Sequence, residues 1–271
     1  MLMEETIGTI APEIYSHFVE NLGGVVYDGI WVGERSPVAH VNGIRKQLVD
    51  SLRRVKTGVI RWPGGCFADQ YDWRDGTGPR DKRPRRTNFW VDAAEWPKDA
   101  KANGPQRYDP NEFGTVEFAR FCRLAGAQPY FAANLRSLPA QELWRWVEYC
   151  DSPAHSTTLG DPRASDGEAG PLDVRFWGVG NESWGCGGNF DPEDYAVEFA
   201  RYTAWVPSYG VRLGSWRPGP TATAWIGRGA SAPRRRRTVF WAAPGGWRCI
   251  IMPGTPAADA PATGAPARAT L

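Results

Sequence analysis

The chain has 271 residues, 42% of them hydrophobic and 23% charged, enough for one large domain or two small ones. No apolar run approaches the ~18 residues of a membrane span, and Met1–Ile10 carries Glu4 and Glu5 where a leader would have a basic start, so neither a membrane protein nor a secretory signal is expected. The net charge of +2 hides two unlike parts: residues 1–213 are acidic, and residues 214–271 hold eight Arg against one acid, Asp259, which is not a uniform basic face for nucleic acid.

Taken in order, short apolar segments alternate with amphipathic ones. Ile14–Val19 reads as a first strand, and Gly58–Trp62 as a second. Between them Asn42 is a plausible cap, and Ile44, Leu48, Leu52 and Val55 fall on one helical stripe. Phe113, Val116, Phe121 and Leu124 form another stripe, which Gly126 would stop. Gln128–Ala133 is a third strand, and Pro139 opens a helix carrying Leu143, Trp146 and Val147. Val174–Val179 is a fourth strand, and Asp191-Pro192-Glu193-Asp194 starts a helix with a capping acid, a first-position proline and acids at the positive end of the dipole.

Strand, long loop and helix in repetition predict a parallel α/β protein. The long loops follow the strands, and polar residues gather at strand C-terminal ends, as in a (β/α)8 barrel. An open doubly wound sheet is the alternative, but no GxGxxG opens a helix. Eight units need ~250 residues, and only about four fit before a fifth strand starts at Val211-Arg212-Leu213. The expected division is a partial barrel over 1–213 and a tail over 214–271. Half of that tail is Ala, Pro or Gly, with Arg234–Arg237 in a block; it reads as disordered or as coding sequence out of frame.

Five cysteines (Cys66, Cys122, Cys150, Cys186 and Cys249) are odd in number, widely spaced and without a CxxC pair. That predicts reduced thiols in a cytoplasmic protein, not a disulfide scaffold or zinc finger. No His pair or Cys/His cluster has ligand spacing, so neither a metal nor a nucleotide cofactor is indicated. Fourteen Trp and nine Tyr suit either sugar platforms or a large core.

The sharpest local feature is Gly178-Val179-Gly180-Asn181-Glu182 at the end of the fourth strand, with Trp177 and Trp184 beside it. Glycoside cleavage needs a carboxylic acid to protonate the leaving oxygen, and partial burial can keep it protonated. An isolated Asn-Glu pair would carry no such meaning; the strand end and the aromatic flank supply it. Arg61-Trp62-Pro63-Gly64-Gly65-Cys66-Phe67 ends the second strand. Its glycines permit close approach of backbone to a ligand, and Arg61 in an apolar strand must find a carboxylate or line a pocket. Glu20-Asn21 follows the first strand, and Glu20 is either a site residue or a plain surface acid.

Four blocks, YSHFVENLGGVVYDGIWVG (15–33), IRWPGGCFADQYDWRDGTGPRDKRPRR (60–86), NEFGTVEFARFCRLAGAQPYFAANL (111–135) and DVRFWGVGNESWGCGGNF (173–190), resemble glycoside hydrolase family 51 over about residues 6–213. The resemblance implies a (β/α)8 barrel with an accompanying β-sandwich; only about the first four to five β/α units, and not the sandwich, are expected within this sequence. It also implies a retaining α-L-arabinofuranosidase that removes terminal arabinofuranose from arabinan, arabinoxylan and their oligosaccharides. Carried over by position, Glu182 matches the acid/base and Asn181 the neighbouring hydroxyl-binding amide. Glu20 matches the glutamate that holds arabinose hydroxyls, and Arg61 a supporting arginine. Cys66 stands where members have Asn or Cys, and Trp184 flanks the same cleft. The family's nucleophile, a second Glu on a later strand, has no counterpart: past Glu182 the chain offers only Asp191, Glu193, Asp194, Glu198 and Asp259. The chain as given is therefore expected to be inactive, with a non-catalytic sugar-binding remnant as the alternative. Full-length members are often homo-oligomers. A nucleic-acid contact through Arg234–Arg237 is a weaker reading.

Overall fold

In a computed structural model of the chain, residues 8–88 and 107–211 are described, together with the backbone of 237–243 and 246–252. The strands are β1 (His17–Phe18), β2 (His40–Val41), β3 (Ile44–Arg45), β4 (Val59–Trp62), β5 (Arg86–Thr87), β6 (Tyr108–Asp109), β7 (Gln128–Ala133), β8 (Phe176–Val179), β9 (Arg237–Ala243) and β10 (Gly246–Met252). The helices are α1 (Lys46–Val55), α2 (Thr115–Ala125), α3 (Ala140–Asp151), α4 (Gly160–Ser165) and α5 (Pro192–Thr203).

One four-stranded sheet has the order β1-β4-β7-β8, and every pairing in it is parallel. Strand order follows chain order, as successive β/α units of a barrel require. The sheet is open at β1 and β8 among the described residues, so the structure holds a four-unit arc and no closed barrel. Val211, where a fifth strand was expected to begin, is not in a strand, and Arg212 and Leu213 lie outside the described residues.

Alternation along β4 sorts the two faces. Trp62 points toward the helices and stacks on Phe118 of α2 (5.2 Å between centroids), with edge contacts to Tyr71, Phe113 and Phe131. Phe131, Trp146 of α3 and Trp177 of β8 continue this layer. Among the described residues most tryptophans are therefore core: Trp31, Trp62, Trp73, Trp146 and Trp177 are all buried. Truncating such a ring costs about 3–5 kcal/mol. Arg61 lies on the opposite face, register-paired with Phe18 and Tyr130.

Several local expectations are corrected. β1 is only two residues long, because Pro12 sits at the first position of a 3-10 turn over Pro12–Tyr15 that leaves Ile14 exposed. Asn42 does not cap α1; with φ of 49°, next to Gly43 at 83°, it forms the tight turn of a hairpin pairing Val41 with Ile44. α1 begins after it, at Lys46. α4 went unpredicted because it presents no apolar stripe; its Arg163, fully buried, donates to the carbonyls of Tyr149, Cys150 and Ser152 and so satisfies the open C-terminal end of α3. Within 214–271, β9 and β10 pair antiparallel, from Gly246 opposite Ala243 to Met252 opposite Arg237. Thr238–Trp241, and Trp247–Ile251 apart from Arg248 and Cys249, are β-branched or aromatic, a local signal masked by the Ala/Pro/Gly flanks. The rest of that segment lies outside the described residues.

Candidate active site

Of the six expected site residues, Arg61 lies on β4 itself and the other five lie on the loops that follow β1, β4 and β8. After β1, the backbone N–H groups of Val19 and Asn21 donate to the carbonyls of Arg61 and Pro63, at 2.8 and 3.0 Å, so Glu20 lies over the Gly64-Gly65 turn. A Cβ on Gly64 would stand 2.6 Å from Glu20 Cγ, so only glycine lets the two loops meet. The Phe67 N–H donates to Glu20 Oε1 at 3.0 Å and fixes that carboxylate.

Among the described residues Arg61 does not find a carboxylate. Its Nη2 donates to Asn181 Oδ1 at 3.0 Å, and its guanidinium lies 4.9 Å from the Phe18 ring centre and 5.6 Å from that of Tyr130. Stacking and one neutral acceptor hold the charge here. The fork turns the Asn181 amide oxygen inward and leaves Nδ2 to donate, with Cys186 Sγ 3.9 Å away.

Glu182 follows at φ +39°, a left-handed conformation uncommon for a residue with a side chain, after Gly180 at +72°. Its own carbonyl accepts from the Gly185 and Gly187 N–H groups at 2.7 and 3.2 Å, which closes the loop under it. The carboxylate is exposed, where partial burial was expected, with Oε2 3.8 Å from Cys186 Sγ. Trp184, 41% exposed, is on the same loop. Asp191 is the cap of α5, and Glu193, Asp194 and Glu198 ride on that helix, Glu198 beside Arg201 at 3.2 Å. Asp259 lies outside the described residues.

Sequence reasoning missed two features. The first is a disulfide joining Cys66 to Cys186, with Cα atoms 5.6 Å apart. The prediction of reduced thiols throughout is thus wrong for this pair, because 120 residues separate the two sulfurs and only adjacent loops bring them together. Cys122 and Cys150 remain free and buried, and burial raises both thiol pKa values.

The second is Asp69, fully buried in the turn after β4. Its Oδ1 accepts from the Leu135 and Arg136 N–H groups at 2.8 and 3.3 Å, and its Oδ2 from the Asn181 N–H at 2.8 Å. One carboxylate thereby ties together the loops after β4, β7 and β8. Gly187 closes over it: a Cβ there would come 1.8 Å from the Asn181 carbonyl oxygen. Asp109 does similar work on the other side, accepting from Asn21 Nδ2 at 2.5 Å, from Asn111 N–H at 2.7 Å and from the Tyr27 hydroxyl.

Burial outweighs these hydrogen bonds and pushes both carboxyls up from 3.8 to about 6. A carboxyl that holds its proton more tightly when folded gains protons on folding, so stability falls as pH rises through about 4 to 6. Folding stability is expected to be higher at pH 5 than at pH 7, by roughly 1 kcal/mol per carboxyl. Urea melts of the chain and of Asp69→Asn check this; the variant should lose part of the slope, and an opposite slope would contradict it. Asp69→Ala should cost roughly 2–4 kcal/mol, because three backbone N–H groups lose their acceptor.

Comparison with known proteins adds family evidence to this geometry. Residues 51–208 match the Alpha-L-arabinofuranosidase 1 domain. An intracellular exo-α-L-arabinofuranosidase of Bacteroides ovatus is 40% identical over 205 residues, covering 75% of this chain and 37% of that protein. The α-L-arabinofuranosidase C of Emericella nidulans is 35% identical over 183 residues, 67% of this chain and 33% of its own. The family 51 arabinofuranosidase of Xanthomonas axonopodis superposes with a TM-score of 0.68 at 36% identity, over 82% of this chain and 43% of that one. The Thermotoga maritima α-L-arabinofuranosidase, solved as an arabinose complex, gives 0.67 at 34%, over 78% and 41%. The chain thus spans only about a third to two-fifths of the length of these relatives. No helix among the described residues is long and apolar enough to cross a membrane. On the family match and these likenesses, the chain belongs to the glycoside hydrolase family 51 α-L-arabinofuranosidases, of which it represents the N-terminal region.

Proposed function

We propose that the chain supplies the acid/base half of a retaining arabinofuranosidase site. That site would release terminal non-reducing α-L-arabinofuranosyl residues from arabinan and arabinoxylan oligosaccharides. The observation that carries this reading is the presentation of Glu182: exposed, at the C-terminal end of a parallel strand, beside an amide fixed by Arg61 and Asp69. In this reading Glu182 protonates the departing glycosidic oxygen and then deprotonates the incoming water. Asn181 Nδ2 donates to a sugar hydroxyl, Glu20 accepts from others, and Trp184 offers an apolar ring at the rim.

The chain carries no counterpart of the nucleophile, so turnover requires a carboxylate from later strands, and the 271 residues alone are inactive. A cytoplasmic location belongs to the same proposal; the Bacteroides relative's name, which calls it intracellular, supports it. Substrate contacts then come from the sugar alone, with neither nucleic acid nor membrane as partner, and homo-oligomers form once the remaining domains are present.

The test is a chimera in which residues 1–213 replace the matching region of the Bacteroides ovatus protein. Its activity on arabino-oligosaccharides would support the reading, and a folded but inactive chimera would leave the sugar-binding remnant. Within it, Glu20→Gln keeps the shape but turns one acceptor into a donor. KM is expected to rise at least about tenfold through lost sugar hydrogen bonds, with the melting temperature unchanged. Unaltered kinetics would remove Glu20 from the site.

A further inference from the structure

We propose that Cys66, Cys186 and Glu182 form, once the disulfide is reduced, a binding site for a thiophilic divalent cation such as zinc. Their ligand atoms all lie within 4.8 Å of one another, on the loops after β4 and β8. In the oxidised chain the bonded sulfurs cannot both face a metal. A tetrahedral zinc with thiolate bonds of ~2.3 Å and a carboxylate bond of ~2.1 Å sets its ligand atoms roughly 3.5–3.8 Å apart. Cys186 Sγ and Glu182 Oε2 already stand 3.8 Å apart. Reduction has only to part the two sulfurs to a similar distance.

The loops do not depend on the disulfide for their proximity. Asp69 holds the Asn181 N–H at 2.8 Å, and Arg61 holds the Asn181 side chain at 3.0 Å, so both ligand-bearing loops stay juxtaposed when the sulfurs separate. The ligands are reachable from water: Glu182 is exposed and both cysteines are half-buried. Cys122 and Cys150 are wholly buried and cannot serve. Two thiolates and one carboxylate leave a fourth position for water, and they satisfy a cation that prefers sulfur.

The chemistry balances simply. A phosphine and one water reduce the disulfide to two thiols and leave the phosphine oxide; the cation then displaces the two thiol protons into solvent. Bound, it would occupy the carboxylate proposed as the acid/base, so the site would also inhibit. The binding itself does not rest on that role.

The experiment reads a spectrum, not turnover, so its failure is distinguishable from failure of the proposed function. The 271-residue chain carrying Cys249→Ser is reduced with a phosphine, freed of it without air, and titrated with Co2+, then with Zn2+ as competitor. One equivalent should bind with thiolate-to-cobalt charge-transfer absorption, and Zn2+ should abolish the band. The oxidised chain should show no band. Cys66→Ser and Cys186→Ser should each weaken binding about 100-fold or more, and Glu182→Gln, a change at an exposed position, at least about tenfold. No band after reduction, an equal band before it, or unchanged affinity in Glu182→Gln would overturn the proposal. That last result is also what loose coordination by an unfolded chain would give.

Discussion

Purified alone, the 271-residue chain is expected to hydrolyse an aryl α-L-arabinofuranoside no faster than buffer does. A retaining site needs two carboxyl groups ~5–5.5 Å apart, one to protonate and one to form the glycosyl-enzyme bond. Past Glu182 the acids of α5 belong to a helix, and Glu198 is paired with Arg201. Before it, Asp69 is fully buried and engaged by three backbone N–H groups. Asp109 is held by Asn21, Tyr27 and Asn111. Without the covalent intermediate the full acceleration is lost, at least ~10^6-fold against a complete enzyme. Turnover above the buffer rate would mean that a carboxylate of this chain, with Glu20 the first to examine, does the nucleophile's work.

In the chimera that completes the barrel, Glu182→Ala is expected to lower kcat/KM on arabino-oligosaccharides by about 10^2–10^4-fold. A sugar alkoxide leaves poorly without a proton, so the missing acid is felt in full. Nitrophenolate leaves well unprotonated, so the loss on a nitrophenyl arabinofuranoside should be smaller in the glycosylation step. Equal losses on both substrates would make Glu182 a positioning residue. Because its side chain is exposed, the substitution should leave the melting temperature in place.

The elements that position the site were legible because their signals are local. β4, β7 and β8 are short, mostly apolar runs that each carry at least one aromatic residue, and the stripe that gave α2 ends at Gly126, whose φ of 76° closes the helix. What failed locally was a choice between two meanings of one signal. Asn42 can cap a helix or, before Gly43, turn a hairpin, and the positive φ at both residues decided for the hairpin. The candidate site residues, Glu20, Arg61, Asn181 and Glu182, could be singled out from strand ends and from the family resemblance. Their mutual arrangement could not. The Cys66–Cys186 bond and the Asp69 anchor join loops 120 and 112 residues apart in sequence, so no window along the chain contains them. Asp69 lies in the turn after β4, yet an acid in a turn normally faces water, and nothing in the sequence marks it as the acceptor for two other loops.

The most direct measurement of the acid/base role is azide rescue of the Glu182→Ala chimera with a nitrophenyl arabinofuranoside. In a retaining enzyme without its acid/base, the glycosyl-enzyme intermediate accumulates because water lacks its base. Azide needs no base and attacks that intermediate directly. The account predicts that azide restores turnover and that the product is the arabinofuranosyl azide with the substrate's α configuration. An azide of inverted configuration, or no acceleration at any azide concentration, would contradict it.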